Sequence, residues 1–141
     1  MKLLLRAIQQ NYLMSSHPFT NTTIVITALA FSHDGGLLAV GNSKGKIRVY
    51  NTATWDTKTD RWGAHTARIM SLDWNSENTH VVSGSLDTYI YVWSLKSPGK
   101  RIKAAIAHKD GCFGVCWVDG GKKIASTGGD ATVKIWDVKL E

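Results

Sequence analysis

Displaced by 43 residues, the sequence matches itself without a gap, and this constrains the fold more than any local pattern. Leu29, Leu72 and Val115 fall in line, each two residues before an aromatic: Phe31, Trp74 and Trp117. Ala39, Val82 and Ala125 align, as do Ile47, Ile90 and Val133. Val49, Val92 and Ile135 follow, and after them Tyr50, Trp93 and Trp136. Four of the six tryptophans lie on this register. The 141 residues therefore read as three copies of one unit with 12 residues over, not as one unrepeated domain.

Within each copy, short runs rich in Ile, Val, Leu and aromatics alternate with Gly, Asp, Asn and Ser clusters, which is strand-and-turn spacing. Predicted strands lie near residues 24–32, 37–41, 47–50 and 58–62 in the first copy. In the second they lie near 69–74, 80–84, 89–94 and 100–107, and in the third near 112–118, 123–127 and 133–137. A period of about 40–45 residues with four strands per unit is that of a β-propeller blade. The predicted fold class is all-β: a partial propeller of three four-stranded antiparallel blades, the last lacking its outer strand, open rather than closed. The predicted blades span about 24–62, 63–107 and 108–141. Residues 1–23 read as a remnant of a preceding blade, or as an irregular or helical segment in which Leu4, Ile8 and Tyr12 share one face.

Polar residues recur on the same register. Ala64-His65 is followed 22 residues later by Asp87 and six further on by Trp93, and Ala107-His108 is followed at the same intervals by Asp130 and Trp136. Ser83 and Ser126 each precede their Asp by four. This pattern resembles the WD-repeat family. The resemblance implies a structural hydrogen-bond network of His65, Ser83, Asp87 and Trp93 in one blade, and of His108, Ser126, Asp130 and Trp136 in the next. A satisfied buried network of this kind fixes geometry. The first copy departs, with Thr22, Val40, Lys44 and Tyr50 at those positions, so its blade is expected to hold by packing.

His65, Ser83 and Asp87 have the composition of a nucleophilic triad. An enzyme has one active site, however, and the set recurs 43 residues on, so no catalytic residue is assigned and the chain is read as a non-enzyme. His108, Cys112 and Cys116 invite a metal reading, but no second ligand pair accompanies them. Residues four apart on a strand are separated by roughly 13 Å, too far for a disulfide. Both cysteines are expected to be small buried thiols, and no metal or cofactor is implied. The net charge of +6 comes from lysines scattered over turns and edges rather than one basic run, which argues against nucleic acid. No apolar run approaches the ~20 residues of a membrane-spanning helix, and none here implies a membrane partner.

Four stretches taken in order resemble the C-terminal propeller of the actin-interacting protein 1 family. They are His65-Thr66-Ala67-Arg68, Ser83 to Thr88, Arg101-Ile102-Lys103 with Ala107 to Gly111, and Gly129 to Trp136. That resemblance covers about residues 27–139 and implies actin filaments and cofilin as partners, promotion of filament disassembly, and a cytoplasmic, cytoskeleton-associated location. A scaffold or adaptor unrelated to actin, and a truncated chain without independent function, are the alternatives. Partners of such propellers meet the face bearing the loop before each first strand and the Asp turn. This makes Arg68, Met70, Leu86 and Phe113 the candidate partner-binding residues, with Arg and an aromatic having the composition of interface hot spots.

Three blades leave two faces open, whereas closed propellers have about 4–8. The expected cover is the rest of a propeller or self-association, and an isolated chain is expected to be marginal or aggregation-prone. The final strand resembles that of propellers whose last blade takes its outer strand from the chain's beginning. Glu141 then reads as a native end and Met1 as an unnatural start, the pattern of a C-terminal fragment.

Overall fold

A computed structural model describes residues 24–140; the expectations placed on residues 1–23, including Thr22, lie outside the described residues. The first sheet joins β1 (Ile26–Phe31), β2 (Leu37–Asn42), β3 (Ile47–Asn51) and β4 (Thr57–Trp62) in that order. The second joins β5 (Ile69–Trp74), β6 (His80–Ser85), β7 (Ile90–Ser94) and β8 (Arg101–Ala104). The third has three strands, β9 (Cys112–Val118), β10 (Lys123–Gly128) and β11 (Val133–Asp137). All pairings are antiparallel, and the sheets form an open array of blades.

One departure from the predicted strands has a local cause. β8 stops at Ala104 rather than Ala107, because the Ala107 N–H leaves the ladder and donates to the Thr88 carbonyl at 2.8 Å. Between β9 and β10 the chain makes a 3₁₀ turn at Asp119–Gly121, where Asp119 and both glycines take positive φ.

Each blade carries a β-bulge at one register position. Ile26 pairs with Asn42 and Ala28 with Gly41, leaving Thr27 extra. Met70 is extra between Ile69 and Ser71, and Phe113 between Cys112 and Gly114. A bulge shifts the side-chain alternation by one. Cys112 and Val115, three apart, are therefore both buried, and Cys116 is turned to the opposite side. The expectation of two buried thiols is corrected here: Cys112 is buried, Cys116 is exposed.

The apolar cores lie between blades rather than within them. Ile47, Val49 and Trp62 of the first blade pack with Ile69, Leu72, Trp74 and Trp93 of the second, and Trp62 stacks on Trp93 with centroids 5.8 Å apart. Val82, Ile90 and Val92 of the second blade pack with Cys112, Val115 and Ile124 of the third. Each fully buried aliphatic side chain contributes about 1.5–3 kcal/mol. The close approach depends on glycine in the second strand of the first two blades. A Cβ on Gly41 would lie 2.6 Å from Ile69 Cγ2, and one on Gly84 would lie 2.6 Å from Cys112 Sγ. In the first blade, where Val40 and Tyr50 replace the Ser and Trp, Asn42 holds the turn that Asp holds elsewhere, its Oδ1 accepting from the N–H groups of Lys44 at 2.9 Å and Lys46 at 3.0 Å.

Candidate interaction face and the networks behind it

The second and third blades bring their four predicted polar residues into one chain of hydrogen bonds each. Trp93 Nε1 donates to Ser83 Oγ at 2.8 Å, and Ser83 Oγ lies 2.7 Å from His65 Nε2. His65 Nδ1 lies 2.8 Å from Asp87 Oδ2. Trp136, Ser126, His108 and Asp130 repeat the arrangement at 2.8, 2.8 and 2.9 Å. An indole N–H only donates and an ionised carboxylate only accepts. With a neutral ring at His65, Nδ1–H donates to Asp87 and Nε2 accepts from the Ser83 hydroxyl. Burial, the largest influence on His65, pushes its pKa down against the pull of Asp87, which keeps the ring neutral.

The carboxylates fix the turns at the blade ends. Asp87 accepts from the Thr66 N–H at 2.9 Å through Oδ2 and from the Tyr89 N–H at 2.9 Å through Oδ1. Asp130 accepts from the Thr132 hydroxyl at 2.8 Å. The bond from His108, followed by those from Thr132, holds the Asp130 carboxyl well below the usual carboxylate range. Each network thus ties the loop before a first strand to the turn after a second strand.

Arg68, Leu86 and Phe113 are exposed around these turns, and Leu86 donates its backbone N–H to the Arg68 carbonyl at 3.1 Å. Leu86 and Phe113 flank Gly111: a Cβ there would meet Leu86 Cδ2 at 3.2 Å and Phe113 Cε1 at 3.4 Å. Gly111 has φ +102, so glycine both makes this turn and leaves room for the two apolar side chains. Met70, at the register position of Phe113, is half-buried where Phe113 is exposed. Its blade has a neighbour on either side, whereas the blade of Phe113 has one among the described residues.

Several structural residues escaped the sequence reading. Ser71 Oγ accepts from the Val115 N–H at 3.1 Å, and Asp73 Oδ2 accepts from the Trp117 N–H at 2.7 Å, both across a blade boundary. Their register partners are Ala28 and Gly114, and Ala30 and Cys116, so the repeat gave no signal for them. Asn75, almost fully buried, accepts from the N–H groups of Thr79 and His80 at 2.9 Å each. The Asn-Ser-Glu-Asn turn was the available hint. Away from these turns, a groove of about 640 Å³ is lined by His80, Val92, Lys100, Ile102, Lys139 and Leu140. Among the described residues no helix is long and apolar enough to cross a membrane.

Blades packed side by side, each closed by a Trp–Ser–His–Asp chain where the residues allow it, define a β-propeller segment of the WD type. The family profile described as "WD domain, G-beta repeat" matches residues 9–51, 57–94 and 99–137, and the chain belongs to this family. The last two matches each start with the outer strand of one blade and end with the third strand of the next, so sequence repeat and blade are offset by one strand. An uncharacterized WD repeat-containing protein of Schizosaccharomyces pombe is 41% identical over 118 residues, covering 84% of this chain and 20% of that protein. The 66 kDa stress protein of Physarum polycephalum is 40% identical, covering 81% and 19%. WD repeat-containing protein 1 of Bos taurus is 35% identical, covering 80% and 19%. The chain spans about a fifth of the length of these curated relatives. A chain in the crystal structure of a mitotic checkpoint complex superposes with a TM-score of 0.76 at 27% identity, over 86% of this chain and 38% of that one.

Proposed function

We propose that the chain is a non-catalytic protein-interaction segment of a WD-repeat propeller that acts on the actin cytoskeleton in the cytoplasm. It meets actin filaments together with cofilin and contributes to filament disassembly. The observation that carries this reading is the ordered set of stretches from His65 to Trp136 that resembles the actin-interacting protein 1 family. Arg68, Leu86 and Phe113 supply the contact surface, with Met70 half-buried behind them. Against catalysis stands the state of the serines: Ser83 and Ser126 are 0% and 1% exposed, and each already accepts an indole N–H. A substrate carbonyl has no route to either oxygen.

Co-sedimentation with actin filaments, with and without cofilin, tests the proposal. The expected result is pelleting of the chain that rises when cofilin decorates the filament. A chain that stays in the supernatant under both conditions would sink the actin reading and leave a scaffold for other partners.

A further inference from the structure

We infer that Ser97, in the turn between β7 and β8, is an acceptor for a proline-directed serine kinase, and that Arg61 of the neighbouring blade holds the phosphate it receives. Ser97-Pro98-Gly99-Lys100 places a proline directly after the serine and a lysine two residues beyond it. Proline has no backbone N–H, so a kinase cleft that offers no acceptor to the residue after the serine selects it. A cation three residues after the serine adds recognition by charge. The other proline of the chain, Pro18, follows His17, and the equivalent connection of the first blade, residues 52–56, has none. The motif is therefore a feature of the second blade.

That blade is packed on both sides, β5 meeting β1 and β9, and the turn stands out from it. Lys96, Gly99 and Lys100 are exposed, with Ser97 and Pro98 half-buried. The Ser97 backbone holds the turn: its N–H donates to Ser94 Oγ at 3.2 Å, and its carbonyl accepts from the Lys100 N–H at 2.9 Å. Its hydroxyl makes no hydrogen bond to another described residue. β8 is the edge strand of its sheet, and Arg101, Ile102 and Lys103 are exposed along it. Releasing the turn into the extended form that a kinase binds therefore disturbs little of the core.

The surroundings suit a phosphate. The Arg61 guanidinium, on β4 of the first blade, lies against the turn: a Cβ on Gly99 would be 3.5 Å from its Nη2. Arg61 forms no ion pair with a described residue. Lys100 lines the same groove as Ser97, and no Asp or Glu is among the described lining. A phosphoserine carries about −1.5 to −2 charges, and a guanidinium pairs with its oxygens two at a time. Phosphorylation thus ties β4 to the turn across a blade junction. In the transfer, Ser97 Oγ attacks the γ-phosphorus of a magnesium-bound nucleoside triphosphate held by the kinase. The new O–P bond forms as the bond to the β–γ bridging oxygen breaks, the nucleoside diphosphate leaves, and the hydroxyl proton passes to a carboxylate of the kinase.

The 141-residue chain, its folding checked by circular dichroism, is incubated with a cyclin-dependent kinase, its cyclin and magnesium ATP. Fragmentation mass spectrometry then maps the product. The expected result is one phosphate, on Ser97, absent from Ser97→Ala and introduced about tenfold or more slowly in Pro98→Ala. No incorporation, incorporation elsewhere, or a rate unchanged by Pro98→Ala would overturn the acceptor assignment. Phosphorus NMR of the product, titrated with pH, tests the clamp. Neighbouring cations should hold the second phosphate pKa below its ordinary value of about 6, and Arg61→Ala should raise it. Arg61 is remote from Ser97 in sequence, so this effect requires the folded junction. A titration unmoved by Arg61→Ala would overturn the role of Arg61.

Discussion

Trp117 gives both of its N–H groups to Asp73 of the blade before it: the backbone N–H to Oδ2 at 2.7 Å and the indole Nε1–H to the carbonyl at 3.2 Å. At the preceding junction, Trp74 gives its indole N–H to the Ala30 carbonyl at 2.9 Å, without a side-chain acceptor. The second junction thus has an anchor that can be removed by substitution. Asp73→Ala should cost about 1.5–3 kcal/mol, the range for a hydrogen bond to a charged group. Hydrogen exchange should then show the amides of β9–β11 opening before those of β1–β8; uniform loosening of all three blades would contradict this.

Ser83→Ala and Ser126→Ala delete the same atom from the same network but should differ in effect. Each strips a partner from a His and from a Trp. Trp93 is almost fully buried, whereas Trp136 is half-buried and its surroundings admit water. Leaving buried polar groups unpaired costs about 1–3 kcal/mol each, so Ser83→Ala should lower stability by about 2–4 kcal/mol and Ser126→Ala by less. Urea midpoints of the two variants decide the order.

Stability should fall in acid in two stages. Burial lowers the folded-state pKa of His65, and does the same to half-buried His80. The unfolded chain takes up these protons near the ordinary value of 6.5 while the folded chain resists them, so stability declines as pH drops below it. Asp130 has the carboxylate sign: its folded pKa is depressed, so its contribution is present above 3.8 and is lost as pH falls through the folded value. The melting temperature should therefore start to drop below about pH 6.5 and drop more steeply below about pH 4. A profile flat down to about pH 5 would show that the buried imidazoles do not control the first stage.

The two thiols should react on separate time scales. Cys116 is exposed, whereas burial pushes the Cys112 thiol up to about 12. Because the thiolate is the reactive form, a disulfide reagent at neutral pH should titrate one thiol at once and the second only on unfolding. Two equally fast thiols would mean that the junction behind Cys112 opens freely.

Alanine at Arg68 and Phe113 should weaken partner binding while leaving the melting temperature nearly unchanged, since both side chains are exposed. A bound interface anchor typically costs 1–2 kcal/mol or more when truncated, about tenfold in affinity. A collapse in stability would instead assign them to packing.

Most of the architecture was legible because a 43-residue period reports burial three times over. Leu72 and Val115 confirm one another as inward positions, and His65 and His108 do the same for the polar chain. What the period could not reveal were features present in one copy only, such as the Asp73 anchor. Nor did alternation survive a bulge. Cys112 and Cys116 are four apart and would share a side of an ideal strand, but the extra residue Phe113 separates them. Pattern reading assumes an unbroken count of two, and a bulge interrupts that count without leaving a residue type that marks it.

The bulge position has a wider consequence. Thr27, Met70 and Phe113 differ in size and polarity, yet each stands where no cross-strand partner is matched to it. A substitution at that position changes what the rim offers without disturbing the ladder on either side. Duplication of the unit therefore copies a variable slot together with an invariant frame, and recognition can diverge from blade to blade while folding stays the same.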